Sequence, residues 1–136
     1  MTDIRPQLSS KNPYWIDRHR YYELKHFCLQ YKTWKRFCRE IDGIKSQNFS
    51  EQVFSKNVSN PVIYAVEKRE EYAGKIMLVE NAAKKASPEL FNYILKAVTE
   101  DVSYENLRNF YQMPASKELY YDLYRRFFWY LDASRK

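Results

Sequence analysis

A chain of 136 residues with only two glycines, Gly43 and Gly74, has little choice of architecture. Sheet proteins use glycine at turns and bulges, where φ must become positive, whereas helical proteins need it only at a few helix ends. The prolines point the same way. Asn12-Pro13, Asn60-Pro61 and Ser87-Pro88 each set a capping side chain before a proline. Proline is tolerated in the first helical turn because its missing N–H has no partner there. The expectation is an all-α single domain, a helical bundle long enough for one core.

Periodicity lays out the helices. Residues 1–11 are polar and aperiodic and read as a flexible tail. A first helix is predicted from Asn12-Pro13 to about Tyr31, with Tyr14, Trp15, Tyr21, Leu24, Phe27, Cys28 and Tyr31 inward. A short second helix has Thr33 as N-cap, Trp34, Phe37, Cys38 and Ile41 inward, and Gly43 as its stop. These N-terminal helices span 12–43. Residues 44–60, rich in Ser, Asn and Gln, read as a linker. A long helix is predicted over 61–86, with an apolar stripe running from Val62 to Ala86. Ser87-Pro88-Glu89 opens a helix over 88–99, Ser103 caps one over 104–111 that carries Tyr104, Leu107 and Phe110, and Ser116 caps a last one reaching about Ala133. Residues 88–133 thus make a trihelical, helix-turn-helix-like unit, with Gln112-Met113-Pro114-Ala115 as the turn.

That layout points to nucleic acid. In a trihelical unit of this kind the final helix enters the major groove, so its start must be exposed and its later turns buried. Ser116, Lys117, Tyr120 and Tyr121 occupy the start, and apolar density rises towards Phe127-Phe128-Trp129. Lys117, Tyr120, Tyr121 and Arg125 are the residues expected to face the groove, with Arg126 on phosphate; Glu118 and Asp122 add negative charge nearby. The net charge of +6 is uneven: residues 1–45 hold ten Lys/Arg against five Asp/Glu, 46–102 seven against eight, and 103–136 six against four. A basic excess suits a polyanion because each phosphate contact releases counterions. The densest cluster, Lys32, Lys35, Arg36 and Arg39, alternates with Tyr31, Trp34 and Phe37. Such a patch binds phosphates and can stack unpaired bases. Its plainer reading is an amphipathic helix with an aromatic inner side and a wet basic side. Lys35, Arg36 and Arg39 are the expected phosphate contacts.

Asn12-Pro13-Tyr14-Trp15, the run Tyr21-Tyr22-Glu23-Leu24-Lys25-His26-Phe27-Cys28-Leu29-Gln30-Tyr31, Ile94 through Glu100, Tyr120-Tyr121-Asp122 and Arg125-Arg126-Phe127-Phe128-Trp129 together resemble an uncharacterised family of short bacteriophage and prophage proteins. The resemblance covers both ends of the chain, and the 44–60 stretch is the least alike. The C-terminal part is also similar to phage late-transcription regulators of the RinA and ArpU kind, which resemble the DNA-binding region of sigma factors. Members of the phage family often carry a proline and a glycine where this chain has Lys32 and Asp101. The resemblance implies a phage origin and, through the second link, a regulator that binds DNA.

Other chemistry has little foothold. His19, Glu23 and His26 share a helix face at spacings of four and three, a possible metal set, yet no HExxH pattern or fourth ligand accompanies them. Glu70-Glu71 and Glu100-Asp101 have no nearby His or third acid, and two glycines leave no phosphate loop. Cys28 and Cys38 stand ten apart without a CxxC pattern and read as core residues of a reduced compartment. No catalytic residue, metal or cofactor is expected. With no signal-like or membrane-length apolar run, the expected location is the cytoplasm of a bacterial host, without a membrane partner. The functional expectation is a phage DNA-binding regulator acting on transcription or packaging-region DNA. The alternative is a phage inhibitor of a host machine, such as an anti-CRISPR protein that binds a Cas nuclease or its guide RNA. A third reading is an adaptor whose aromatic stripe packs on a partner helix.

Overall fold

A computed structural model describes residues 13–46 and 61–135, with the side chains of 45 and 46 set aside, and among these residues every regular element is a helix. In chain order they are α1 (Arg18–Cys28), α2 (Tyr31–Ser46), α3 (Pro61–Ala86), α4 (Phe91–Glu100), α5 (Tyr104–Tyr111) and α6 (Lys117–Ser134). The expected tail over 1–11, the Asn12 cap, the Ser59-Asn60 cap and residues 47–60 of the expected 44–60 linker lie outside the described residues, while residues 44–46 of that linker belong to α2. The protein is all-α. It divides into two compact units, one joining the chain up to Gln30 with the chain from Leu78 onward, the other spanning Tyr31–Met77.

In the first unit, α1 and α6 carry the largest buried side chains. Tyr21, Leu24 and Cys28 of α1 and Phe127, Phe128 and Leu131 of α6 are all fully enclosed. Tyr21 meets Phe128 edge to face at 5.0 Å, and its hydroxyl lies 3.1 Å from that of Tyr124, so two buried phenols satisfy each other. That pairing matters because a buried hydroxyl without a partner costs about 1–3 kcal/mol. A partly buried ion pair, Arg20 Nε to Asp132 Oδ1 at 2.7 Å, closes the same helix pair and raises the arginine pKa. Val79, Ala82, Ala83 and Ala86 at the end of α3, Ile94, Ala97 and Val98 of α4, and Leu107 of α5 complete this core.

The second unit is α2 with the earlier turns of α3. Tyr31, Trp34, Cys38 and Ile41 recur at steps of three and four, and all are buried. Tyr72 of α3 receives Phe37 edge-on at 5.3 Å and lies tilted against Trp34 at 6.3 Å. Arg69 clasps Asp42 in a two-point fork, with both bonds at 3.0 Å. The Cys38 thiol points at the Arg69 carbonyl, 3.6 Å away; desolvation raises its pKa against the opposing charge of Arg69. Cys38 is a core residue.

Several helix ends differ from expectation, each for a local reason. α1 begins at Arg18 rather than Pro13, because Asp17 caps it by accepting from the His19 N–H at 3.0 Å. The preceding residues are held against α6 instead: the Tyr14 ring meets Trp129 edge-on at 5.7 Å and Arg126 at 5.1 Å. Ile16 is therefore buried, and Trp15, expected inward, is exposed. The chain breaks at Leu29-Gln30, where the Gln30 side chain donates to the His26 carbonyl, so Tyr31 opens α2 and Thr33 does not cap it. Gly43 does not stop α2, which continues to Ser46; its φ is not positive, and only a left-handed glycine ends a helix. Ser87 does not cap the helix: its Oγ accepts from the Leu90 N–H at 3.1 Å within the preceding turn, and α4 starts at Phe91 with Leu90 at its N-cap and no side-chain cap bond.

The left-handed positions belong to other residues. Asp101 (φ 56) ends α4 and Gln112 (φ 55) ends α5, while both glycines sit inside helices. A Cβ built on Gly74 meets nothing within 4 Å. Gly74→Ala is expected to stabilise the protein by about 0.5–1 kcal/mol, and Gln112→Gly by about 1 kcal/mol. Both shifts are read as raised urea midpoints with an unchanged slope, and a lowered midpoint for Gly74→Ala would contradict its helical placement.

Candidate nucleic-acid interface

The turn between α5 and α6 is built by backbone chemistry that the sequence names. Ser103 caps α5 by accepting from the Asn106 N–H, and Ser116 caps α6 by accepting from the Leu119 N–H, both at 3.2 Å. Gln112 turns left-handed, and its N–H and that of Met113 reach back to the Leu107 carbonyl. Met113 and Ala115 are buried, which anchors the turn from below. From above, the Ala115 carbonyl accepts from Tyr104 Oη and from Arg108 Nη1, each at 3.1 Å, and Arg108 also donates to Tyr104 Oη at 3.0 Å. A short loop with this many fixed partners holds the start of α6 in one place.

The predicted groove residues divide on exposure. Lys117 is exposed at the first position of α6, with its ammonium 5.9 Å from the Tyr121 ring. Tyr121 is half-buried. Arg125 is half-buried as well and forms no ion pair among the described residues. Tyr120 is a correction. It is 4% exposed, wedged between the rings of Tyr104 at 5.4 Å and Tyr124 at 5.9 Å, so it belongs to the core and cannot face a groove. Burial also raises its phenol pKa. Arg126 is half-buried, with its Nε 3.0 Å from Asp122 Oδ2 on the preceding turn and its guanidinium 5.1 Å from the Tyr14 ring. The outward side of α6 therefore carries Lys117 and Arg125 together with Glu118.

The α2 cluster is more uniform. Lys32, Lys35, Arg36 and Arg39 are all exposed and, with Tyr31, line one open groove of about 380 Å³. Among the described residues no carboxylate pairs with Arg36 or Arg39. The interleaved aromatics go the other way: Trp34 is 2% and Tyr31 8% exposed, and Phe37 packs on Tyr72. Lys32, outside the expected phosphate contacts, lines the same groove three and four residues before Lys35 and Arg36.

Sequence reasoning missed an apolar surface. Phe110 is 73% exposed, and Tyr111, Leu119 and Trp129 are exposed beside the same helices. Periodicity placed Phe110 and Leu119 inward because they keep phase with Leu107 and Leu123; helices this short leave flanking positions uncovered. The possible metal set does not assemble: His19 and His26 are exposed, Glu23 pairs with Arg20 at 3.3 Å, and among the described residues no three His, Cys, Asp or Glu gather. Among those residues, too, no helix is long and apolar enough to cross a membrane. No protein-family model, curated protein or solved structure matches this chain.

Ser116→Ala removes the α6 cap and is expected to cost about 1 kcal/mol. Arg108→Ala frees the Ala115 carbonyl from one donor and is expected to cost about as much. Because the two sites share one turn, their effects should be non-additive in a double-mutant cycle by urea unfolding. Additivity would show that the turn is not a unit.

Proposed function

We propose that this protein is a nucleic-acid-binding regulatory protein of the phage kind, with double-stranded DNA as its partner. The observation that carries the reading is the α2 face: four cations in one groove, two of them without a carboxylate partner among the described residues. A surface of that kind gains from counterion release on a phosphate polymer and little from a small or neutral ligand. The α5–α6 arrangement supports a base-reading role for α6. A fixed turn delivers a capped helix start, helix N-termini favour phosphate, and Lys117, Tyr121 and Arg125 remain on the accessible side. The resemblance to phage regulators of the RinA and ArpU kind agrees with this use of the C-terminal helices. The regulated step, transcription or packaging, follows from the partner sequence and belongs to the same proposal.

A second reading has one observation in its favour. Phe110, with nearly three quarters of its surface in water, suits burial against another protein, as in a phage inhibitor of a host nuclease. Phe110→Ala separates the readings, because it weakens capture of a host protein and leaves DNA affinity unchanged.

Fluorescence anisotropy with labelled duplex DNA at two salt concentrations tests the first reading. Submicromolar binding that weakens with salt and prefers some fragments supports it; no binding at low salt overturns it. Lys117→Ala with Arg125→Ala is expected to lower affinity for a preferred fragment by tenfold or more and to narrow the gap between fragments. Tyr120→Phe, which keeps the buried ring, should leave binding unchanged.

A further inference from the structure

We infer that the α2 groove is a sequence-blind grip on the phosphodiester backbone of duplex nucleic acid and has no base-stacking role. The inference rests on the nucleic-acid reading above and adds how this one site works. Lys32, Lys35, Arg36 and Arg39 follow one another at helical steps of three, one and three, so their Cα atoms span about 10 Å along the axis. A strand of duplex DNA presents one phosphate every 3.4 Å of axis. The strip is therefore long enough to reach more than one phosphate of one strand.

Base stacking is restricted by burial. Stacking needs a ring face open to solvent, and Trp34 and Tyr31 have none to offer because both are buried. Phe37 is half-buried and leans on Tyr72 at 5.3 Å. Hydrogen-bonded readout by such a groove is confined to acceptor edges such as guanine O6 and N7, because among the described residues its charged lining consists of cations alone. What remains is a row of point charges, whose attraction scales with phosphate density. A duplex, with charges every 1.7 Å when both strands are counted, is then favoured over a single strand of equal length.

The test uses the full chain and three probes: two unrelated duplexes and an oligo(dT) strand of matching length, titrated from 50 to 200 mM salt. Each neutralised phosphate adds about 0.9 to the slope of log affinity against log salt. Arg36→Ala with Arg39→Ala is expected to lower that slope by about 1.8 for both duplexes alike. Wild type should then lose about tenfold more affinity than the variant across the salt range. Arg36→Lys with Arg39→Lys keeps both charges and should keep the slope. Both pairs of substitutions are exposed, so the melting temperature should hold and a change in binding is not a change in folding.

An unchanged slope in the alanine variant, while wild type still binds duplex, overturns this inference and leaves the regulatory reading standing. Tighter binding of oligo(dT) than of duplex overturns it by reviving stacking. A lysine variant as weak as the alanine one overturns it by showing that guanidinium geometry is read. Absence of wild-type binding to either duplex sinks the regulatory reading, and this inference with it.

Discussion

The contact between Tyr21 of α1 and the aromatic face of α6 sets the terms for the rest of the first unit. Tyr21, Phe127 and Phe128 are wholly enclosed, and the two phenol oxygens of Tyr21 and Tyr124 satisfy one another. Losing a phenylalanine ring from such a place costs about 3–5 kcal/mol, a large part of a small domain's stability. α6 therefore cannot rotate to offer a different face. Its inward side takes Tyr120, Leu123, Tyr124, Phe127, Phe128 and Leu131, and whatever it presents outward must come from the remaining positions. The loss of Tyr120 from the list of groove-facing residues is a direct consequence of this seam.

Local chemistry then places the ends of the helices. Serine does the capping at Ser103 and Ser116, and aspartate does it at Asp17. Left-handed stops fall to Asp101 and Gln112, which bear a strain that glycine would not. The two glycines of the chain sit where alanine would serve better.

How much of this was readable from residues depends on what kind of signal each element rests on. α3 and α5 lay within the expected bounds, and α6 within one residue, because proline or serine marks their starts and a long apolar stripe runs through α3 and α6. The beginning of α1 was not legible. Asn12-Pro13 is a strong start signal, but the Tyr14 ring finds Trp129 and Arg126, partners more than a hundred residues away, and a tertiary contact outweighs a local preference. The α1–α2 break was equally hidden, since Leu29-Gln30 carries no proline or glycine. For the candidate site, Lys35, Arg36 and Arg39 lie exposed along one groove, as helical phase predicts, whereas Tyr120 is buried. Helical phase alone places Tyr120 one step from the exposed Leu119, whereas the spacing of four between Asp122 and Arg126 is a pairing that it does mark.

The electrostatic weight is carried by α2 in its own unit rather than by α6. With Arg126 and Asp122 cancelling each other, and Glu118 standing beside Lys117, the outward side of α6 is close to neutral. A near-neutral helix can discriminate between bases, because hydrogen bonds and apolar contacts do that work, but it cannot supply the phosphate attraction that dominates affinity. α2 has the opposite composition: cations in a row, with its aromatic rings withdrawn into its own unit. Under the proposed function the two elements are therefore unequal in kind. Charge in α2 supplies the salt-dependent, sequence-independent part of binding, and Lys117, Tyr121 and Arg125 of α6 supply whatever selectivity there is. Each part is set by which side chains its own helix was obliged to bury.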